Sequence, residues 1–214
     1  MAKRIGMTDR TSQRLPHTTK NEMIPDTETL LHIASEPGAG ATSLVLQLIR
    51  DSLSKSGRIV WIAREMPDPG RLSDILGTLP PTSLSRFHAA AFGEHLARGI
   101  EQSLDLIEGL DSITHVVIDN WTGVSGRVDA KTVNSMKNLI KSCNGKCVLI
   151  ATSPMYADAS GQDEWAIRGP DIFTSTWRLL RKNPTTSTRI LDCKNEILEL
   201  IPNQDGFEFK NYSS

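Results

Sequence analysis

Thr29-Leu-Leu-His-Ile-Ala-Ser35 runs directly into Glu36-Pro-Gly-Ala-Gly-Ala-Thr42. The first seven residues read as a short buried strand. From Thr42 onward Leu44, Val45, Leu48, Ile49 and Leu53 recur at helical spacing, and Ser56-Gly57 closes the segment with a glycine suited to a C-cap. A glycine-rich loop between strand and helix is the setting of the pattern G-x-x-x-x-G-K-[ST]. There backbone amides cradle phosphates, the lysine neutralises the β and γ charge, and the hydroxyl holds Mg²⁺. Ser35 to Thr42 fills that frame and keeps Gly38, Gly40 and Thr42, but Ser35 stands for the first glycine and Ala41 for the lysine. One cation is gone and Glu36 has been added, so triphosphate binding is expected to be weak. The cradle formed by Gly38, Ala39, Gly40, Ala41, Thr42 and Ser43 would still attract a phosphate or sulfate, because that attraction comes from the backbone and the helix dipole. Taken alone, the segment also reads as an ordinary glycine-rich turn.

Around this loop the 214-residue chain, 38% hydrophobic and 23% charged, has the length and composition of a single α/β domain. Its net charge of −1 and pI near 6.5 create no global field, so any basic site must be local. The charge is unevenly spread. Lys3, Arg4, Arg10, Arg14 and Lys20 face only Asp9 in the first 20 residues, which leaves 19 basic against 24 acidic residues in the remainder. Residues 1–24 therefore read as a flexible basic arm and residues 25–214 as the folded core. No apolar stretch has the length of a membrane span, and the start lacks the apolar centre of a secretory signal, so a cytoplasmic protein is expected. Cys143, Cys147 and Cys193 cannot all pair and lack the partners of a zinc site, which favours reduced structural thiols.

The periodicity predicts strands over Thr29–Ser35, Arg58–Ala63, Arg86–Phe92, Ile113–Asp119 and Lys146–Thr152, with helices over Thr42–Lys55, Arg71–Leu76, Gly93–Leu110 and Asp129–Asn144. Such alternation means a largely parallel sheet covered on both faces. Four further short strands, beginning at Phe173, Thr188, Glu196 and Phe207, predict an antiparallel extension, and Pro154 to Pro170 reads as an irregular insert. Two strand ends carry acids: His115-Val-Val-Ile-Asp119 and Trp61-Ile-Ala-Arg-Glu65. Ligands of open parallel sheets gather at the carboxyl ends of strands, so Thr42, Glu65 and Asp119 are expected to converge. Thr42 and Asp119 are the residues suited to Mg²⁺ if a nucleotide binds.

In this order the segments resemble the RecA/RadA recombinase family, and within it the RadB branch of small archaeal paralogues, over roughly residues 25 to 210. Pro37-Gly-Ala-Gly-Ala-Thr42 is similar to the family's PPGxGKT, Trp61-Ile-Ala-Arg-Glu65 to its YIDTE, and Val117-Ile-Asp119-Asn120 to its VVDS strand. Ala151-Thr-Ser-Pro-Met-Tyr-Ala157 is similar to TNQVYA, with Pro154 at the glutamine that senses the γ-phosphate. Arg189-Ile-Leu-Asp-Cys-Lys194 and Gly206-Phe-Glu-Phe209 resemble the closing strands. The resemblance implies a RecA-like P-loop NTPase core with a degenerate Walker A motif, in which Glu65 is a vestigial water-polarising position. ATP with Mg²⁺ would bind weakly or not at all, and Arg64, or Lys194 of a neighbouring subunit, are candidate substitute cations.

The family's DNA-binding loops correspond to Trp121–Arg127 and Tyr156–Arg168. Arg127 and Arg168 could reach phosphates there, and Trp121 and Trp165 could stack on bases of single-stranded DNA, or pack internally instead. Phe87-His-Ala-Ala90 matches the family's subunit-docking letters but reads as part of an internal strand. The expected function is that of an accessory recombinase paralogue in DNA repair and homologous recombination, contacting DNA or a RadA-type recombinase, with homo-oligomers also compatible. A structural RecA-fold subunit of an Elongator-like assembly and a KaiC-like ATPase are the alternatives. Ala41 argues against the second.

Overall fold

The computed structural model describes residues 29–158, 164–193 and 196–211. The basic arm and Lys194 lie outside them. Strand β1 (Leu30–Ser35) is buried at every position, His32 and Ser35 included, because it lies at the centre of a parallel sheet covered on both faces. It leads through the glycine loop into α1 (Ala41–Ser54), then β2 (Arg58–Ala63), α2 (Pro69–Leu76), the single turn α3 (Pro81–Leu84), β3 (Phe87–Ala91), α4 (Leu96–Gly109), β4 (Ile113–Asp119), α5 (Ala130–Cys143) and β5 (Val148–Pro154). A short pairing of β6 (Tyr156–Ala157) with β7 (Trp165–Ala166) follows, then β8 (Ser175–Arg181), β9 (Arg189–Asp192), β10 (Ile197–Asn203) and β11 (Gly206–Asn211).

Nine strands make one sheet in the order β11-β10-β9-β8-β1-β5-β4-β2-β3. Every pairing from β8 through β3 is parallel, and β8 to β11 form an antiparallel meander. Successive side chains on the strands serve opposite layers. Leu31, Ile33, Trp61 and Val117 pack with α1 and α2, whereas Leu30, Val60, Ile62 and Ile118 pack with α4 and α5. The architecture is the mixed α/β sheet with an antiparallel C-terminal part that the periodicity predicts.

Three local differences have physical causes. Helix α2 begins two residues before Arg71 because the Asp68 side chain accepts the Arg71 amide at 2.8 Å and a proline occupies the first turn. The insert after Pro154 is not wholly irregular, since Tyr156 pairs with Ala166 and Ala157 with Trp165. Strand β3, expected to be internal, is an edge strand. Phe87 turns inward onto Trp61, with ring centroids 5.9 Å apart, while His88 and Ala90 are exposed. All three cysteines are unpaired.

Candidate phosphate-loop site

The parallel register brings the carboxyl ends of β1, β5, β4 and β2 side by side, Ser35 opposite Pro154 and Ala63 opposite Asp119. Gly38 and Gly40 bend the loop at φ 73° and 103°, and α1 begins at Ala41 without a side-chain cap. The first amides of α1 have no intrahelical acceptor. They border a cleft of about 490 Å³ whose lining includes Gly40, Ala41, Thr42, Glu65, Asp119 and Pro154. The expected convergence of Thr42, Glu65 and Asp119 on one cleft therefore exists, together with Gly38 and Ser43. Glu65 is exposed on its wall.

Thr42 Oγ1 donates to Asp119, 3.3 Å from Oδ1 and 3.1 Å from Oδ2. Thr152 Oγ1 donates to Asp119 Oδ1 at 2.6 Å and accepts the Asn120 amide at 2.8 Å. Burial pushes the Asp119 carboxyl above its ordinary pKa, and the bonds from Thr152 and Thr42 oppose that shift. A buried carboxylate and a threonine hydroxyl in direct contact are hard oxygen donors, the type Mg²⁺ takes while retaining several waters.

The loop's other side is held by groups the sequence does not announce. Glu36 does not face the cleft. Its Oε1 lies 3.5 Å from Arg181 Nε and its Oε2 accepts the Arg181 amide at 2.7 Å, so its charge is compensated and the expected repulsion of a polyanion is corrected. Arg181 Nη2 also donates to the Pro37 carbonyl at 3.1 Å, and Arg189 Nε to the Ala39 carbonyl at 3.1 Å. Arg71 donates to Ser43 Oγ at 2.9 Å and to the carbonyls of Asn203, Gln204 and Gly206, tying the β10–β11 turn to the start of α1. Gln47, buried on α1, bonds both the amide and the carbonyl of Phe207. Its one sequence signal is a polar residue three places after Leu44, on the stripe of α1 that should be apolar. Nothing comparable marks the arginines, whose partners lie in distant segments.

Arg64, the candidate substitute cation, lies outside the lining of that cleft. It donates to the Asn120 and Gly93 carbonyls at 3.1 and 3.3 Å and pairs with Glu94 at 3.7 Å. Of the two readings open for Trp121 the internal one holds: it is fully buried and its ring meets Phe173 and His32 edge-on, so it offers no face to a base. Arg127 and Arg168 do come together, on a groove of about 930 Å³ that also includes Tyr156 and Asn134. Arg127 is exposed there. Arg168 is partly engaged, since Nη1 donates to the Gly126 carbonyl at 2.7 Å and the guanidinium lies 5.0 Å from the Tyr156 ring centroid. Trp165 is half-buried in the β6–β7 pairing, outside that lining, and its carbonyl accepts from Arg178 at 2.9 Å.

No protein-family model matches the sequence, and no curated protein matches it. Among solved structures, the crystal structure of the RadB recombinase is similar to this chain with a TM-score of 0.65 at 16% identity, covering 85% of this chain and 91% of that one. The chain has the RecA-like fold of that structure. Within this RecA-like core the glycine loop, the Thr42–Asp119 contact and Glu65 share one cleft, while the side chains of Ala41 and Pro154 bring it neither a charge nor a side-chain amide. Among the described residues no helix is long and apolar enough to cross a membrane.

Proposed function

We propose that this chain is an accessory RecA-fold protein of DNA repair and homologous recombination, which binds DNA or a recombinase and hydrolyses ATP weakly or not at all. The observation that carries the reading is the cleft itself: Thr42 rests on Asp119 at 3.1 Å in a RecA-like core, while the neighbouring Ala41 supplies no cation. Phosphoryl transfer relies on charge neutralisation of the transferred group, and the loss of a direct cation removes several kcal/mol of it, at about 1.4 kcal/mol for each tenfold in rate. Thr42 and Asp119 would hold an Mg²⁺ brought by a nucleotide, and Glu65 would occupy the water-polarising position in vestigial form. The metal would screen phosphate charge; the chain's own contribution is the amide cradle and the two oxygen donors.

The groove bearing Arg127, Arg168 and Tyr156 supports single-stranded nucleic acid as a partner, through phosphate contacts first and stacking second. Met66, 45% exposed, and Val124, 74% exposed, put apolar side chains on the rim of the phosphate-loop cleft, which supports a RecA-fold subunit as the protein partner. A cytoplasmic location belongs to this reading. Calorimetric titration of ATP and ADP with and without Mg²⁺, paired with single-stranded DNA binding at two salt concentrations, tests it. Salt-sensitive DNA binding with little or no ATP turnover is the expected pair of results. Turnover at an ordinary P-loop rate, or DNA binding absent at both salt concentrations and no association with a recombinase, would overturn it.

A further inference from the structure

The C-terminal meander approaches the phosphate loop closely at two of its glycines. A Cβ on Gly38 would lie 2.7 Å from Arg181 Nη2, and one on Gly40 would lie 2.9 Å from the Phe207 ring. Both positions also have the positive φ that favours glycine. Two loop carbonyls, Pro37 from Arg181 and Ala39 from Arg189, are engaged by the meander, while those of Glu36 and Gly40 accept the Ala39 and Leu44 amides. A peptide whose oxygen is anchored on that side cannot rotate the oxygen into the cleft. A second hollow of about 300 Å³ on the hairpin side of the loop is lined by Ala39, Ser43, Arg71 and Arg189 among others.

The charges are unequal in kind. Arg181 is balanced by Glu36. Arg189 donates only to carbonyls, those of Ala39, Ser187 and Thr188, and has no ion pair within 4 Å among the described residues. Glu36 attracts Arg189 as well as Arg181, so two arginines and one carboxylate leave one net positive charge behind the loop, and arginine remains protonated under all ordinary conditions.

We propose that Arg181 and Arg189 are positioning residues for the phosphate loop, and that Arg189 supplies from behind the loop the positive charge that Ala41 no longer supplies from within it. This rests on reading the loop as a phosphate site. It also specifies the ligand. A cation behind the loop acts most strongly on the phosphate nearest the amides, whereas a longer chain laid along the cleft meets the carboxylates of Glu65, Asp68 and Asp119 against a single cation of that lining, Arg71, whose guanidinium is committed to Ser43 and the carbonyls of Asn203, Gln204 and Gly206. The site therefore favours a pyrophosphate group, free or in a nucleoside diphosphate, over a triphosphate when Mg²⁺ is absent.

The test uses the full chain and three variants, Arg189→Gln, Arg189→Lys and Arg181→Gln. Pyrophosphate, ADP and ATP are titrated calorimetrically without Mg²⁺, and amide hydrogen exchange of residues 36–43 is followed without ligand. Arg189→Gln should weaken pyrophosphate binding about tenfold, Arg189→Lys should recover part of that loss, and the loop amides should exchange faster in Arg189→Gln and Arg181→Gln. Urea midpoints identify a variant that has failed to fold, in which case the other arginine's variant decides. Unchanged loop exchange in the folded variants overturns the positioning role. Unchanged pyrophosphate affinity in Arg189→Gln, or a wild-type preference for ATP over ADP, overturns the charge role. Wild-type protein that binds none of the three anions while its variants still open the loop would sink the phosphate-site reading and uphold the positioning role.

Discussion

Ala41 begins α1 on the lining of the cleft, beside Thr42 and its contact with Asp119. A lysine there would carry its ammonium into a cleft that already holds the amides and the Thr42–Asp119 corner. Ala41→Lys should raise Mg-ATP affinity by about tenfold or more, roughly 1.4 kcal/mol, in calorimetric titration; no gain would mean the cleft has closed to triphosphates for reasons beyond charge. His32 is a second position where one side chain decides a measurable property. Its Nε2 faces the Ser153 hydroxyl at 2.8 Å and the Trp121 indole N–H at 3.4 Å, so the ring accepts there and is neutral. Burial lowers its pKa from 6.5 to about 4, and burial does the same for His115. Between those values the unfolded chain binds more protons than the folded one, so stability falls as pH drops, by about 1.4 kcal/mol per pH unit for each ring. His32→Leu should lower stability near neutral pH by about 1–2 kcal/mol, because Ser153 loses its partner. It should also flatten the acid slope by roughly half. Urea midpoints measured near pH 7 and near pH 5 check both; an undiminished slope would contradict the neutral assignment.

At the scale of elements, the antiparallel meander is joined to the parallel half by side chains reaching from α1 and α2. Gln47 receives the Phe207 amide at 2.7 Å and donates to its carbonyl at 2.9 Å, while Arg71 holds the turn beyond β10. Gln47→Leu would leave both backbone groups of Phe207 unpaired at a buried site, and a loss of about 2–4 kcal/mol in urea unfolding is expected. A variant as stable as wild type would show that β11 does not depend on the clamp. This coupling marks where sequence reading stops. The parallel strands are legible because Ile59 to Ala63 and Val116 to Ile118 are buried on both faces and so are written as unbroken apolar runs, while in β1 only His32 interrupts Leu30 to Ala34. Thr42, Glu65 and Asp119 are legible because each sits at a strand or loop end that the motif order identifies. The grip of Arg71, Arg181 and Arg189 on the turn and the loop is not, because each bonds a backbone carbonyl, which any residue at the acceptor position would provide. Trp121 fails for a different reason: an aromatic just past a strand end suits base stacking and core packing equally, and only its contacts with His32 and Phe173 decide.

For the molecule as a whole, the charge distribution limits how nucleic acid could be held. Outside the first 20 residues acids outnumber bases, 24 to 19, so a general electrostatic attraction is absent and affinity must come from a local groove, the basic arm, or both. Within the groove Arg127 and Arg168 are not equivalent. Arg168 is committed to the Gly126 carbonyl and to Tyr156, so its removal would disturb the loop as well as any ligand. Arg127 is exposed and is the cleaner probe. Arg127→Ala should weaken single-stranded DNA binding by roughly threefold to tenfold across sequences and reduce the slope of log affinity against log salt by about 0.7, the value for one phosphate contact on a single strand. Deleting residues 1–20 should reduce the slope further, by an amount that counts the arm's contacts. Fluorescence anisotropy with a labelled oligonucleotide at several salt concentrations measures both. An affinity unchanged by both alterations would move the DNA contacts away from the groove and the arm, whereas no binding at any salt concentration would remove DNA from the proposed function and leave a protein partner at the Met66 and Val124 rim as the basis for the accessory role.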